Sequence, residues 1–302
     1  MSHEPRVIRT LAFVPAHDED AILRAAAMGA DAIGLDLEDL TPGPAKQHAR
    51  DIFPAMAREL AARGVVVMAR TNGLEGGRCQ ADLDAILCPE LHCLNFPKAE
   101  SAESVATFCA LLDQAEASHS LPAGSILVRP VVETARGIRM AYEVASASRR
   151  VEYMGGVAGG FWGDLGATLG VIMSPAGTES LYLRSKVLVD VRDAGLRFPI
   201  GGGGTASRDL QSVRSFALEN KHLGYTGSFV HPRPEVVEVV NEAFTPTAAE
   251  IAEWTEILPG LEAARAEGTI VIEVEGKLYD TAGIPRVREQ LDLAARLGLV
   301  PA

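Results

Sequence analysis

Eight short apolar runs, each followed by a longer stretch of helical periodicity, occupy most of this chain: residues 11–15, 32–36, 65–70, 92–96, 126–132, 151–157, 196–200 and 225–230. A short apolar run followed by an amphipathic segment is the pattern of a βα unit. Eight units are what a closed parallel barrel requires. Near-continuous apolar strands covered by helices favour that closed form over a doubly wound open sheet. The expected fold is therefore a (β/α)8 TIM barrel. Asp18 and Ser101 stand where helix N-caps belong, and Gly29, Gly64 and Gly195 stand where helices should stop.

After Phe244 the pattern changes, which divides the chain into a barrel domain, 1–244, and a C-terminal helical and hairpin extension, 245–302. Thr247 and Glu250 form a capping box opening a helix that carries Ile251, Trp254, Ile257 and Leu258. A hairpin is expected over 269–274 and 277–279 around Glu275-Gly276, and Pro285 starts a last helix. So short a tail is expected to lack a core of its own and to pack on the barrel mouth or a neighbouring subunit.

Composition narrows the partners. The chain has 302 residues and a formal net charge of −12, which disfavours nucleic acid and anionic membranes. Cys79, Cys88, Cys93 and Cys109 have no metal-ligand spacing and read as reduced structural thiols. With no signal peptide and no apolar run of ~18 residues, the expectation is a soluble cytoplasmic protein.

Polar residues gather at the C-terminal ends of the strand candidates, the face that carries chemistry in such barrels. His17 follows the first; Asp36, Glu38 and Asp39 the second; Arg70 and Asn72 the third; Lys98 the fourth. Glu133, Asp164, the four glycines 201–204 and His231 follow the remaining four. A carboxylate where a buried strand runs out is costly unless it meets a cation or a hydrogen-bond donor. Glu133 and Asp164, at neighbouring strand ends, suit a hard divalent ion such as magnesium. A salt bridge of either to Arg70 or Arg136 is the competing account. Arg70 either neutralises Asp36, Glu38 and Asp39 or offers its planar fork to a substrate carboxylate, and the roles are compatible.

The set Arg9-Thr10-Leu11-Ala12-Phe13-Val14-Pro15, Gly29-Ala30-Asp31-Ala32, Asp36-Leu37-Glu38-Asp39, Arg70-Thr71-Asn72, Phe96-Pro97-Lys98-Ala99-Glu100, Glu133-Thr134-Ala135-Arg136-Gly137, Gly224-Tyr225-Thr226-Gly227 and His231-Pro232 resembles the HpcH/HpaI aldolase and citrate lyase superfamily. Its order and spacing are similar to the citrate lyase β-subunit-like branch. The resemblance implies a magnesium ion, or manganese in its place, held by Glu133 and Asp164, with Arg70 clamping the substrate carboxylate. Asp36, Glu38 and Asp39 would line the same pocket, with Gly163 beside the substrate. Gly276-Lys277-Leu278-Tyr279-Asp280 looks like the segment of long family members that gives a neighbouring subunit a general acid, here Asp280. It also implies a homo-oligomer, a trimer or hexamer. Two departures stand out: Phe161-Trp162-Gly163 precedes Asp164 where the family commonly reads Gly-Ala-Glu, and the four glycines 201–204 follow the seventh strand where it commonly has Asp.

Three functions follow as expectations. The first is magnesium-dependent cleavage or formation of a 3-hydroxyacyl-coenzyme A thioester, such as a malyl, citramalyl or citryl thioester, to an oxo acid and acetyl-coenzyme A. The second is a class II aldolase splitting a 4-hydroxy-2-oxo acid into pyruvate, or a relative of it, and an aldehyde. The third is a non-catalytic subunit that binds an oxo acid.

Overall fold

The computed structural model describes residues 4–155, 164–172, 174, 177–202 and 207–300, apart from the side chains of Asp164 and Leu165. Two compact units emerge, Met1–Phe244 and Thr245–Ala302.

In the first unit, seven parallel strands run β1 (Thr10–Pro15), β2 (Ala32–Asp36), β3 (Val66–Arg70), β4 (Leu91–Phe96), β5 (Leu127–Pro130), β6 (Ile200–Gly201) and β7 (Gly227–Val230). Their spatial order is β5-β4-β3-β2-β1-β7-β6. The segment 150–153 hydrogen-bonds to both outer edges of that sheet. The Val128 amide donates to Arg150 O at 2.8 Å, the Glu152 amide to Val128 O at 2.9 Å, and the Ile200 amide to Tyr153 O at 3.3 Å. The TIM barrel is thus closed by a segment that is not itself a regular strand. Only Val151 forms a bridge, to Val128. The expected strand at 151–157 is corrected to this extent, and its last two residues lie outside the described ones. Tyr153 breaks the ladder by adopting φ of 60°, a left-handed conformation that no extended strand tolerates.

Alternation along the strands separates two apolar layers. Ala12, Val14, Ile33, Leu35, Val67, Ala69 and Leu94 pack outward under the helices. Leu11, Ala32, Val66, Met68, Cys93, Leu127 and Ile200 fill the barrel interior. Burial of whole aliphatic side chains contributes roughly 1.5–3 kcal/mol each, and this double layer is where the fold's stability originates. The helices begin as the caps suggest: Asp18 accepts from the Ala21 amide at 2.9 Å and Ser101 from the Ser104 amide at 3.1 Å.

A buried ion network ties helix Ala102–Ser118 to the start of β5. Glu116, fully buried, accepts from Arg150 Nη1 and the Ile126 amide, both at 2.9 Å, and from the Gly124 amide at 2.8 Å. Burial pushes the Glu116 carboxyl up, but Arg150 and those two amides outweigh it and hold the pKa below its ordinary value. A carboxyl depressed on folding contributes stability above its unfolded pKa and loses that contribution as pH falls through the folded one. Glu116→Gln is therefore expected to cost about 3 kcal/mol near neutrality, by leaving Arg150 short of a charge partner. It should also flatten the acid limb of a Tm-against-pH curve. Parallel curves for the two proteins would show that Glu116 does not titrate with folding.

The second unit has a core of its own, against expectation. Thr247 and Glu250 form the capping box of helix Ala248–Ala266. Two strands, β8 (Val271–Val274) and β9 (Lys277–Asp280), pair as an antiparallel hairpin. Its turn residues Glu275 and Gly276 have φ of 50° and 78°, as a two-residue primed turn requires. Helix Ile284–Arg296 follows. Ile257, Leu261, Ile284 and Val287 form the cluster, with Trp254, Ile272, Val274 and Tyr279 packed on it. The hairpin's alternation turns every second residue toward the helices, which is how a short segment builds a hydrophobic centre.

Candidate active site at the C-terminal rim

Asp36 and Arg70 are the last residues of β2 and β3 and are register partners. Asp36 is fully buried. Its Oδ1 accepts from Arg70 Nε at 3.0 Å and from the Glu38 amide at 2.7 Å, while Oδ2 accepts from Arg70 Nη2 and from the Leu40 amide at 3.3 Å. One carboxylate thus fixes the guanidinium and folds the acidic turn back over it. Arg70 Nη1 then lies 3.0 Å from Glu38 Oε2 and 3.8 Å from Asp39 Oδ2. Burial disfavours the Arg70 charge, but the Asp36 hydrogen bond and the charges of Asp36, Glu38 and Glu133 prevail and raise its pKa. Burial also raises the Glu38 carboxyl, opposed by Arg70 and Lys98.

Two lysines complete this wall. Lys98 adopts φ of 49°. In that conformation its amide donates to Glu133 Oε1 at 3.0 Å and its ammonium reaches Glu38 Oε1 at 3.1 Å. A single strained residue therefore touches both carboxylates, the kind of placement that functional sites retain. Lys46 is buried with its ammonium on Leu37 O, on Glu38 O at 2.7 Å and on Asn72 Oδ1 at 2.9 Å. All three of its donors are used, and burial lowers its pKa. Asn72 is fixed in turn by Asp82, which accepts from its amide and its side chain, both at 2.7 Å. His17 Nδ1 lies 3.4 Å from the Thr41 hydroxyl, which donates to Asp36 O at 2.6 Å.

Of the residues expected from sequence, Asp36, Glu38, Asp39, Arg70, Lys98 and Glu133 come together here. Arg70 is paired with Asp36 and Glu38, as the neutralising account has it. Gly163, the Asp164 side chain and Gly203–Gly204 lie outside the described residues. Asp280 belongs to the other unit, where it is exposed and caps a short turn by accepting from the Ala282 amide at 2.8 Å. The sequence pattern does not single out Lys46 as part of this region. Lys46 shares the buried stripe of its helix with Ala49, Phe53, Ala57 and Leu60, a signal the sequence contains.

The donor chemistry fits a hard divalent ion. Glu133 is 6% exposed, and its carboxylate can present oxygen to a cation while Oε1 is held by the Lys98 amide. Glu38 Oε2 is a buried oxygen that meets Arg70 Nη1 as an ion pair at 3.0 Å but accepts no hydrogen bond among the described residues. Those residues hold no group of three or more His, Cys, Asp or Glu arranged for a metal.

A closed parallel barrel with an arginine and carboxylates at its C-terminal rim is the architecture of a barrel enzyme. The chain belongs to the HpcH/HpaI aldolase/citrate lyase family, whose model matches residues 9–232. It falls in the citrate lyase β-subunit-like branch of that family and is a carbon–carbon lyase. It is 30% identical to a citrate lyase subunit beta-like protein of Deinococcus radiodurans, over 96% of this chain and 99% of the relative. To the citrate lyase subunit beta of Leuconostoc mesenteroides it is 28% identical, over 96% and 94%. Among solved structures, the fold matches the protein CitE of Mycobacterium tuberculosis in complex with magnesium, acetoacetate and coenzyme A. That match has a TM-score of 0.70 at 24% identity, covering 96% of this chain and 98% of the other. Among the described residues no helix is long and apolar enough to cross a membrane.

Proposed function

We propose that this protein is a magnesium-dependent lyase that cleaves, or in reverse forms, a 3-hydroxyacyl-coenzyme A thioester bearing a further carboxylate, such as a malyl or citramalyl thioester. The products are an oxo acid and acetyl-coenzyme A. The observation that carries the reading is the convergence of Arg70, Glu38, Lys98 and Glu133 at one rim, in a chain of this family. Magnesium, acetoacetate and coenzyme A on the Mycobacterium tuberculosis protein support it.

Asp36 grips Arg70 through Nε and Nη2, so Nη1 is the edge left to meet a substrate carboxylate in place of Glu38 and Asp39. Glu133 and Asp164 are the candidate magnesium ligands. When bound there, the ion supplies Lewis acidity that lowers the pKa of the substrate hydroxyl and favours the developing oxo group. Glu38, whose pKa burial raises, takes the hydroxyl proton. The carbon–carbon bond then breaks, its electron pair passing to the α-carbon of the thioester as an enolate. A proton on that carbon completes acetyl-coenzyme A, and Asp280 of a neighbouring copy is the proposed donor. The same rim fits an aldolase in which the enolate belongs to the oxo acid and His17 serves as base.

The test offers the purified protein malyl- and citramalyl-coenzyme A, and separately 4-hydroxy-2-oxo acids, each with magnesium. Acetyl-coenzyme A release that stops on chelation is expected. Pyruvate release from hydroxy-oxo acids alone would replace this reading with the aldolase one. Turnover of neither, with oxo acid binding intact, would leave a binding subunit.

A further inference from the structure

Arg129 is fully buried inside the barrel, and its guanidinium is spent on oxygens that carry no formal charge. Nε donates to Tyr153 O at 3.0 Å, Nη1 to Asn95 Oδ1 at 3.2 Å, and Nη2 to Gly155 O at 3.4 Å. Its Cζ lies 4.2 Å from the centre of the Phe229 ring. Burial presses the Arg129 pKa down to about 10, which still leaves it charged at neutral pH. Burying a charge this way is costly, so what it holds must matter to the fold or to the site.

The backbone beside it explains the need. Among the described residues, hydrogen bonds between the backbones of β5 and the sixth segment run through Val128, Arg150 and Glu152 and go no further. The next donor on that edge of β5 would be residue 130, which is proline and has no N–H. One step further on, Tyr153 takes its left-handed turn. The carbonyls of Tyr153 and Gly155 are met instead by the side chain of Arg129. On its other flank Gly155 is pressed against β6 and its surroundings. A Cβ there would sit 3.0 Å from Pro199 Cβ, 3.0 Å from Tyr225 Cε1 and 3.1 Å from Ile200 O. Beyond Gly155 the chain leads to Asp164.

We propose that Arg129 is a positioning residue whose guanidinium replaces the missing ladder between β5 and the sixth segment, fixing where the chain leaves the barrel toward Asp164 and thereby setting the affinity for the divalent ion. The second half rests on the proposed metal site at Glu133 and Asp164; the first half does not.

Two measurements on Arg129→Gln and Arg129→Lys separate these halves. Lysine keeps the charge and much of the packing, and serves if the glutamine variant does not fold. Hydrogen exchange of the amides 150–155 is expected to quicken by more than about tenfold in both variants, with the β1–β4 amides unchanged. Unchanged protection at 150–155 overturns the clamp. Calorimetric titration with magnesium or manganese alone is expected to show at least about tenfold weaker binding in both variants, at an affinity lost without loss of the folded state. If Arg129 acted only as a nearby positive charge, Arg129→Gln would bind the ion more tightly and Arg129→Lys would match the parent, which overturns the link to the site. A parent protein that binds neither ion removes the proposed lyase mechanism, while the exchange data still decide the clamp. Arg129→Gln with Pro130→Ala returns a backbone donor to β5 and is expected to recover protection at 150–155. No recovery would overturn the ladder-replacement account.

Discussion

Glu133→Gln is expected to lower kcat/KM for thioester cleavage on the order of 10³-fold, equivalent to about 4 kcal/mol of transition-state stabilisation, with little change in Tm. The two halves of that expectation have different origins. Glutamine matches glutamate in shape and keeps an oxygen to accept the Lys98 amide, now at 3.0 Å from Oε1, so the local fold survives. What disappears is the negative charge. A neutral amide oxygen is a poor ligand for a hard dication, and Arg70, whose pKa Glu133 helps to raise, loses one of its anionic neighbours. Magnesium titration should show the affinity falling with the activity, and part of the loss should return at high magnesium. Full activity in Glu133→Gln at low magnesium would sink the proposal that this carboxylate holds the ion. Asp164→Asn is the companion test: it addresses the second ligand and should behave the same way.

The strands that could be read from sequence are those whose ladders are intact. The runs at 11–15, 32–36 and 92–96 agree with β1, β2 and β4 to within a residue at each end, because burial on both faces keeps those runs near-continuously apolar. The run at 196–200 fails for a local reason: Pro199 cannot donate to a ladder, and the strand is reduced to Ile200–Gly201. The run at 151–157 fails because Tyr153 turns left-handed, and no hydropathy pattern encodes the sign of φ. The acidic cluster was legible since carboxylates at the ends of buried strands must find cations, and Asp36 finds Arg70. That Lys46 secures the backbone of Leu37 and Glu38 depends on a helix and a turn meeting in space. The lysine's place on a buried stripe hints at a partner without naming it.

Gly227→Ala is expected to cost about 4 kcal/mol or more, the range reached only when a substitution breaks main-chain packing. A Cβ at position 227 would lie 1.9 Å from Ile8 O and 2.9 Å from Arg9 O. Both are backbone oxygens, so no side chain can rotate aside. β7 would have to leave β1, to which Ser228, Phe229 and Val230 are paired through Thr10–Ala12, and β7 is what joins β6 to the rest of the sheet. For a domain this size the melting temperature should fall by more than about 8 °C, or soluble protein should not be obtained. Gly34→Ala makes an informative contrast. Its Cβ would meet Phe13 Cε1 at 2.4 Å, a ring that can turn, so the stability cost should stay at about 1–3 kcal/mol. Phe13 lies under the Arg70 guanidinium, 5.7 Å from ring centre to Cζ, and its ring centre is 5.4 Å from that of Phe229. Turning the ring disturbs the floor beneath Arg70, so Gly34→Ala should raise KM more than it lowers Tm. Equal losses of stability in the two variants would mean that the Phe13 ring is as immovable as the backbone of residue 8, and that Arg70 rests on a rigid floor.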